Sequence, residues 1–158
     1  MFKFAVLTVS DRCSKGEYED KSGPAIMDII KNINGEIIGY DIVADEKELI
    51  KEKLLLYCDN LRADLVFTTG GTGLGPRDVT PEATLEVSQK IIPGISELIR
   101  IEGFKKTKNA ALSRGISTVR EKTVIINLPG SPKAVKESLT AILDIIPHAL
   151  DMLKGMGH

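Results

Sequence analysis

Four glycines fall within residues 70–75, directly behind the apolar run Leu65-Val66-Phe67 and ahead of Arg77-Asp78 and Thr80-Pro81. Glycine at that density costs conformational entropy, and a plain turn needs fewer of them. An apolar run that breaks into glycines and then into a Thr-Pro helix start prescribes a strand, a loop and a helix in that order. Such a loop lets backbone N–H groups approach an anionic ligand closely. We read it as a phosphate-binding turn beside a carboxylate, Asp78, that is able to hold a metal ion. It matches neither common nucleotide signature: no Lys-Ser/Thr follows the glycines, and Pro76 stands where a dinucleotide loop would have its third glycine.

The rest of the chain alternates in the same way. Residues 2–9, 36–43, 64–69, 117–120 and 123–128 read as strands, the first apolar on both faces as in a parallel sheet. Ile26, Ile29, Ile30 and Ile33 recur at helical spacing after Pro24, and Asn34-Gly35 stops that helix. A second stripe, Ile50, Leu54, Tyr57 and Leu61, follows Asp45-Glu46. Thr80 is placed to cap a helix running to about Lys90, and a further helix runs on to about Lys106. Residues 10–23 and 108–115 read as loops, and Glu121-Lys122 as a hairpin turn. Pro132 opens a last helix, which Pro147 kinks or splits. Strands alternating with helices imply an α/β fold with a mainly parallel sheet, read as one domain over residues 1–158.

Composition removes several functions. The formal charge of -1 supplies no basic field for nucleic acid. No apolar run approaches the ~20 residues that cross a membrane. Cys13 and Cys58 form no C-x-x-C pair and read as free thiols of a reducing, cytoplasmic protein. With His148 and His158 as the only histidines, a histidine zinc site or a Ser-His-Asp triad is poorly supported.

In a parallel sheet, ligands sit beyond the carboxyl ends of the strands. Those ends carry Ser10-Asp11-Arg12, Asp45, the glycine loop with Asp78, and Asn127-Leu128-Pro129-Gly130. Carboxylates beside phosphate make sense as ligands of Mg²⁺ or as proton acceptors. Asp45 is equally well placed to cap the helix at Glu46, and Asp78 to pair with Arg77 as a solvated loop charge. Arg12, Arg77 and Arg114 lie in loops, where a guanidinium can hold phosphate with two parallel hydrogen bonds. Ser10 and Ser113 carry hydroxyls able to donate to phosphate. Neither has a neighbouring histidine to activate it.

These motifs resemble the molybdopterin-binding family of molybdenum-cofactor biosynthesis, which includes adenylyltransferases and a domain of gephyrin. The matching pieces are Thr8-Val9-Ser10-Asp11-Arg12, Asp20-Lys21-Ser22-Gly23-Pro24, the glycine loop through Ala83, Leu112-Ser113-Arg114, and Asn127-Leu128-Pro129-Gly130-Ser131-Pro132. The resemblance implies a three-layer α/β/α domain, commonly a homotrimer, that joins ATP and molybdopterin into adenylyl-molybdopterin and pyrophosphate with Mg²⁺. It implies catalytic and metal-holding roles for Asp45 and Asp78. It further implies nucleotide binding by Gly70, Gly71, Thr72 and Gly73 with Asn127, Pro129, Gly130 and Ser131. Ser10, Asp11, Arg12, Ser113 and Arg114 correspond to the pterin and phosphate pocket. A contact with a molybdenum-insertion protein also follows from the resemblance. A non-catalytic pterin-binding scaffold is the alternative reading.

Overall fold

The computed structural model describes residues 1–156, so His158 lies outside the described residues. Six strands form one sheet in the order β2-β1-β3-β6-β5-β4. They are β1 (Phe2–Val9), β2 (Gly35–Val43), β3 (Leu65–Thr69), β4 (Lys90–Ile91), β5 (Ser117–Arg120) and β6 (Thr123–Leu128). The pairs β1–β2, β1–β3 and β3–β6 are parallel, whereas β5 runs antiparallel to β6 and β4. The helices are α1 (Asp11–Ser14), α2 (Ser22–Lys31), α3 (Lys47–Leu55), α4 (Thr80–Glu86), α5 (Pro93–Phe104), α6 (Pro132–Ile142) and α7 (Ile146–Leu153).

Three layers follow from the two-residue period of the strands. Phe4, Val6, Leu65, Phe67 and Ile126 face one side, where they pack with Ile26 and Ile30 of α2, Ile95 of α5 and Leu139 of α6. Ala5, Leu7, Val66 and Ile125 face the other, against Ile50 and Leu54 of α3 and Ala83 of α4. Burying one such aliphatic side chain is worth roughly 1.5–3 kcal/mol. The mainly parallel α/β/α architecture read from the sequence is therefore the architecture found.

Several local expectations change. Residues 10–23 hold the short helix α1, because the Ser10 side chain accepts from the Cys13 amide and caps it. Helix α3 widens into a π turn over Leu56–Asn60, which buries Tyr57 and Cys58 and leaves Leu61 exposed, off the expected stripe. Thr80 does not cap α4. Val79 takes the cap position, and the Thr80 hydroxyl donates instead to the Gly70 carbonyl at 3.0 Å. That helix ends at Glu86, and Lys90–Ile91 pair with β5 as a short edge strand that the sequence did not announce. Residues 108–112 of the expected loop form a 3₁₀ turn. Pro147 does split the last helix, at a 3₁₀ turn over Leu143–Ile145.

Candidate active site

Strand order reverses between β1 and β3, since β2 lies on one side of β1 and β3 on the other. That is where a doubly wound sheet opens a crevice. A pocket of about 340 Å³ occupies it, lined by Ser10 and Arg12 after β1, Gly70 after β3, and Gly130 and Ser131 after β6. A neighbouring pocket of about 320 Å³ lies between α5 and α6 and takes in Thr72, Gly73, Ser113 and Pro129. The glycine loop and the Pro129-Gly130 corner thus contribute to both.

The loop keeps its shape because only glycine fits it. Gly70 has φ +97°, and a Cβ there would lie 2.2 Å from the Val9 carbonyl oxygen. Gly71 has φ +70°, and a Cβ would meet the Thr80 hydroxyl at 2.2 Å and Asp45 Oδ1 at 3.2 Å. L-residues with a side chain rarely adopt this backbone. One arginine fixes the rest of the loop. Arg114 donates from Nε to the Gly73 carbonyl at 2.8 Å, from Nη2 to the Asp78 carbonyl at 2.7 Å, and from Nη1 to Glu82 at 2.6 Å. Its amide also donates to the Thr72 carbonyl at 2.9 Å. Glu82, the partner that orients Arg114, is a site residue that the sequence reading passed over; it lies one helical turn beyond Asp78, on the first turn of α4.

The acids sit on a ledge beside the loop. Asp11 and Asp45 hold each other reciprocally. The Asp11 amide donates to Asp45 Oδ2 at 2.8 Å, and the Asp45 amide to Asp11 Oδ1 at 3.0 Å. Arg77 grips Asp11 with two hydrogen bonds, 3.0 Å from Nε and 2.8 Å from Nη2. That guanidinium, with the Asp45 amide, pulls the Asp11 carboxyl down to about 2. Arg77 therefore pairs with Asp11, not with its sequence neighbour Asp78. Asp45 moves the other way. Burial lifts its carboxyl above the ordinary carboxylate value, and the charges of Asp11 and Asp78 add to the rise against the Asp11 amide and Arg77. Asp45 is not a helix cap, since its side chain faces Asp11. Asp78 Oδ2 accepts from the Gly75 amide at 2.9 Å, and a Cβ on Gly73 or Gly75 would lie 2.9 Å from it. Asp45 and Asp78 thus both adjoin loop positions that carry no side chain.

Two residues have framework contacts. Asn127 is buried; its Nδ2 donates to Thr68 and Thr84, and its Oδ1 accepts from the Ile116 amide at 3.1 Å. Its side chain braces the strand ends and is not among the lining residues of the two pockets just described. Asp20, which lies in one of the matching motifs, has a structural role that the sequence reading did not assign. Its carboxylate accepts from the Thr8 hydroxyl at 2.7 Å, from the Gly23 amide at 3.1 Å and from the Tyr40 hydroxyl. This ties one wall of the crevice pocket to β1 and β2. The signal was legible, because an Asp three residues before a helical amide is a capping pattern.

The sequence profile described as "Probable molybdopterin binding domain" matches residues 5–148. The chain belongs to this family. A protein of Helicobacter pylori J99 named molybdopterin adenylyltransferase is 48% identical over 152 residues, covering 95% of this chain and 86% of that protein. The crystal structure of the molybdopterin biosynthesis enzyme MoaB from Thermus thermophilus superposes with TM-score 0.93 at 48% identity, covering 98% of each chain. The tungsten cofactor synthesizing protein MoaB from Pyrococcus furiosus superposes with TM-score 0.84 at 36% identity, over 99% of this chain and 98% of that one. Within this family the rim just described is the candidate catalytic surface. Among the described residues no helix is long and apolar enough to cross a membrane.

Proposed function

We infer that this chain is a molybdopterin adenylyltransferase, acting in molybdenum-cofactor biosynthesis. The observation that carries the reading is the convergence of the glycine loop, Asp45 and Asp78 on one rim of the sheet. It is joined by the 48% identity to a protein named for that reaction. In this reading ATP is the second substrate. An oxygen of the pterin's terminal phosphate attacks the α-phosphorus, and the bond to pyrophosphate breaks. The attacking phosphate is already ionised near neutral pH, so a chain without a histidine base in its site suffices.

The protein's task is placement and charge balance. Gly70 and Arg12 line the crevice pocket, and in this reading the Arg12 guanidinium binds phosphate oxygens there. Ser113 donates to the pterin phosphate from the other pocket. Arg77 and Arg114 hold Asp11, Asp78 and the loop in register. Asp45 and Asp78 fit Mg²⁺: their acceptor oxygens adjoin glycines, and their mutual repulsion is relieved by a cation. Among the described residues there is no group of three or more metal-ligating side chains. Two carboxylates accord with an ion that takes its remaining oxygens from phosphate and water. When bound, Mg²⁺ would offset negative charge on the phosphates. A homotrimer in the cytoplasm, in contact with a molybdenum-insertion protein, completes the proposal.

Purified protein incubated with molybdopterin, ATP and Mg²⁺ yields the AMP adduct and pyrophosphate. Asp78→Asn lowers turnover about a hundredfold, and chelation of Mg²⁺ abolishes turnover while leaving pterin binding measurable. No adduct with any divalent metal rejects the enzyme in favour of a binding scaffold.

A further inference from the structure

The two edges of the sheet are finished differently. At one edge β4 is two residues long and carries Lys90, and both features discourage pairing with another chain. At the other, β2 runs for nine residues without a lysine or a proline. Its bulge lies in the first half of the strand, at Ile38, where the register with β1 slips between Phe4 and Ala5. From Gly39 to Val43 the pairing is regular.

Only half of the backbone in that stretch is used. The Val43 carbonyl accepts from the Ser10 amide at 2.9 Å and so faces β1. Successive residues of a strand turn their N–H and C=O groups to opposite edges. Gly39 and Asp41 therefore also face β1, and Tyr40 and Ile42 face outward. Among the described residues no group bonds to the amides or carbonyls of Tyr40 and Ile42. The two residues are 36% and 38% exposed.

The side chains define the chemistry of an occupant. Tyr40 lies on the α2 face, where its hydroxyl donates to Asp20, and Ile42 shares that face. Asp41 points to the α3 face. There its carboxylate accepts from the Tyr57 hydroxyl at 2.7 Å and meets Lys53 at 3.4 Å. Glu36 is exposed and lies on the α3 face too, since its neighbour Gly35 packs against Ile30 of α2. The strand thus offers two apolar side chains on one face, and two carboxylates and no cation of its own on the other. A second copy is a poor occupant. The antiparallel register in which both outward residues of each copy pair sets Tyr40 opposite Ile42 and Asp41 opposite Asp41. Like charges directly opposite are destabilising.

We propose that the Gly39–Val43 edge of β2 is a docking site for an extended segment of another protein, one that alternates β-branched residues with lysine or arginine. The segment adds as a strand outside β2, its backbone bonding to the free groups of Tyr40 and Ile42. Its apolar side chains pack on Tyr40 and Ile42, and its cations lie over Asp41 and Glu36. The surface does not depend on which reaction the rim performs. It adjoins the crevice, because Asp20, the partner of Tyr40, lines that pocket.

The probe is a blocked hexapeptide of alternating lysine and valine, with a hexapeptide of alternating glutamate and valine as its control. The lysine peptide slows amide hydrogen exchange at Tyr40 and Ile42, and its affinity falls as salt is added. The glutamate peptide binds at least about tenfold more weakly. Ile42→Pro removes one outward N–H and no bond to β1, a position where an edge strand accepts proline. It weakens binding of the lysine peptide about fivefold to tenfold, with a wild-type circular dichroism spectrum. Glu36→Lys, at an exposed position, also weakens that peptide and keeps the test decisive should the proline variant fold poorly. Unchanged exchange at Tyr40 and Ile42 with the lysine peptide overturns the proposal. So does equal binding of the two peptides. Self-association that Ile42→Pro abolishes assigns the edge to a second copy and likewise overturns it.

Discussion

The two ends of the central sheet turn the chain by opposite means. Below the strands, Asn34, Arg62 and Glu121 take positive φ angles of 71°, 54° and 51°, immediately before or shortly ahead of β2, β3 and β6. Above them, the positive angles after β3 belong to Gly70 and Gly71. The lower end also closes its charges: Arg120 grips Asp59 at 3.0 and 2.7 Å and donates to the Val87 carbonyl at 2.8 Å. The upper end leaves Asp45 lifted by burial and by two like charges. A side chain is tolerated in a left-handed turn where only a reversal is needed. It is excluded where two backbones or a ligand must come close. The cost of the upper end is therefore concentrated where chemistry is expected.

The strongest way to break this contrast is to exchange the turn residues. Gly70→Ala places a methyl against the Val9 carbonyl. It should destabilise the fold by more than about 2 kcal/mol in urea unfolding. Arg62→Gly should change stability by less than about 1 kcal/mol in either direction, because relief of the left-handed backbone opposes the added freedom of the unfolded chain. If the two variants unfold at the same urea concentration, the distinction between the ends is wrong.

Protonation offers a second test. Asp11, held at about 2, contributes stability that is fully present above its unfolded value near 3.8 and is lost as pH falls through about 2. Asp45 has the opposite sign. Its folded carboxyl binds a proton more readily than the unfolded one, so its ionised form costs stability, and that cost appears as pH rises through the lifted value. Carboxyl NMR titration should show Asp45 titrating above 3.8 in the wild type. It should titrate at lower pH in Asp78→Asn, where one repelling charge is gone. An unshifted Asp45 in that variant would show that the two acids do not share a field.

The smallest effect belongs to the lower end. Arg120→Lys loses the paired contact with Asp59 and should cost about 1 kcal/mol or less. Turnover should stay at the wild-type level. A loss of activity there would mean that the ends are coupled through β6.

Much of this was legible in the sequence because burial and spacing leave few choices. Apolar strands such as Phe4-Ala5-Val6-Leu7, alternating with isoleucine stripes, specify a covered parallel sheet, and the rim residues then follow from the strand ends. What escaped reading depended on partners distant in sequence. Thr80 looked like a cap until the Gly70 carbonyl competed for its hydroxyl. Asn127 is held by Thr68, Thr84 and the Ile116 amide, partners that its own stretch of sequence does not announce. The π turn that removes Leu61 from its stripe has no local marker, and neither does a two-residue edge strand paired with residues far along the chain.

The tethering of Arg114 has a kinetic corollary. One guanidinium spans Gly73, Asp78 and Glu82, so the loop acquires its contour as the protein folds and not as substrate arrives. An incoming ligand meets a finished surface. Its capture rate can then be governed by diffusion and charge, with little entropy left for the loop to surrender on association.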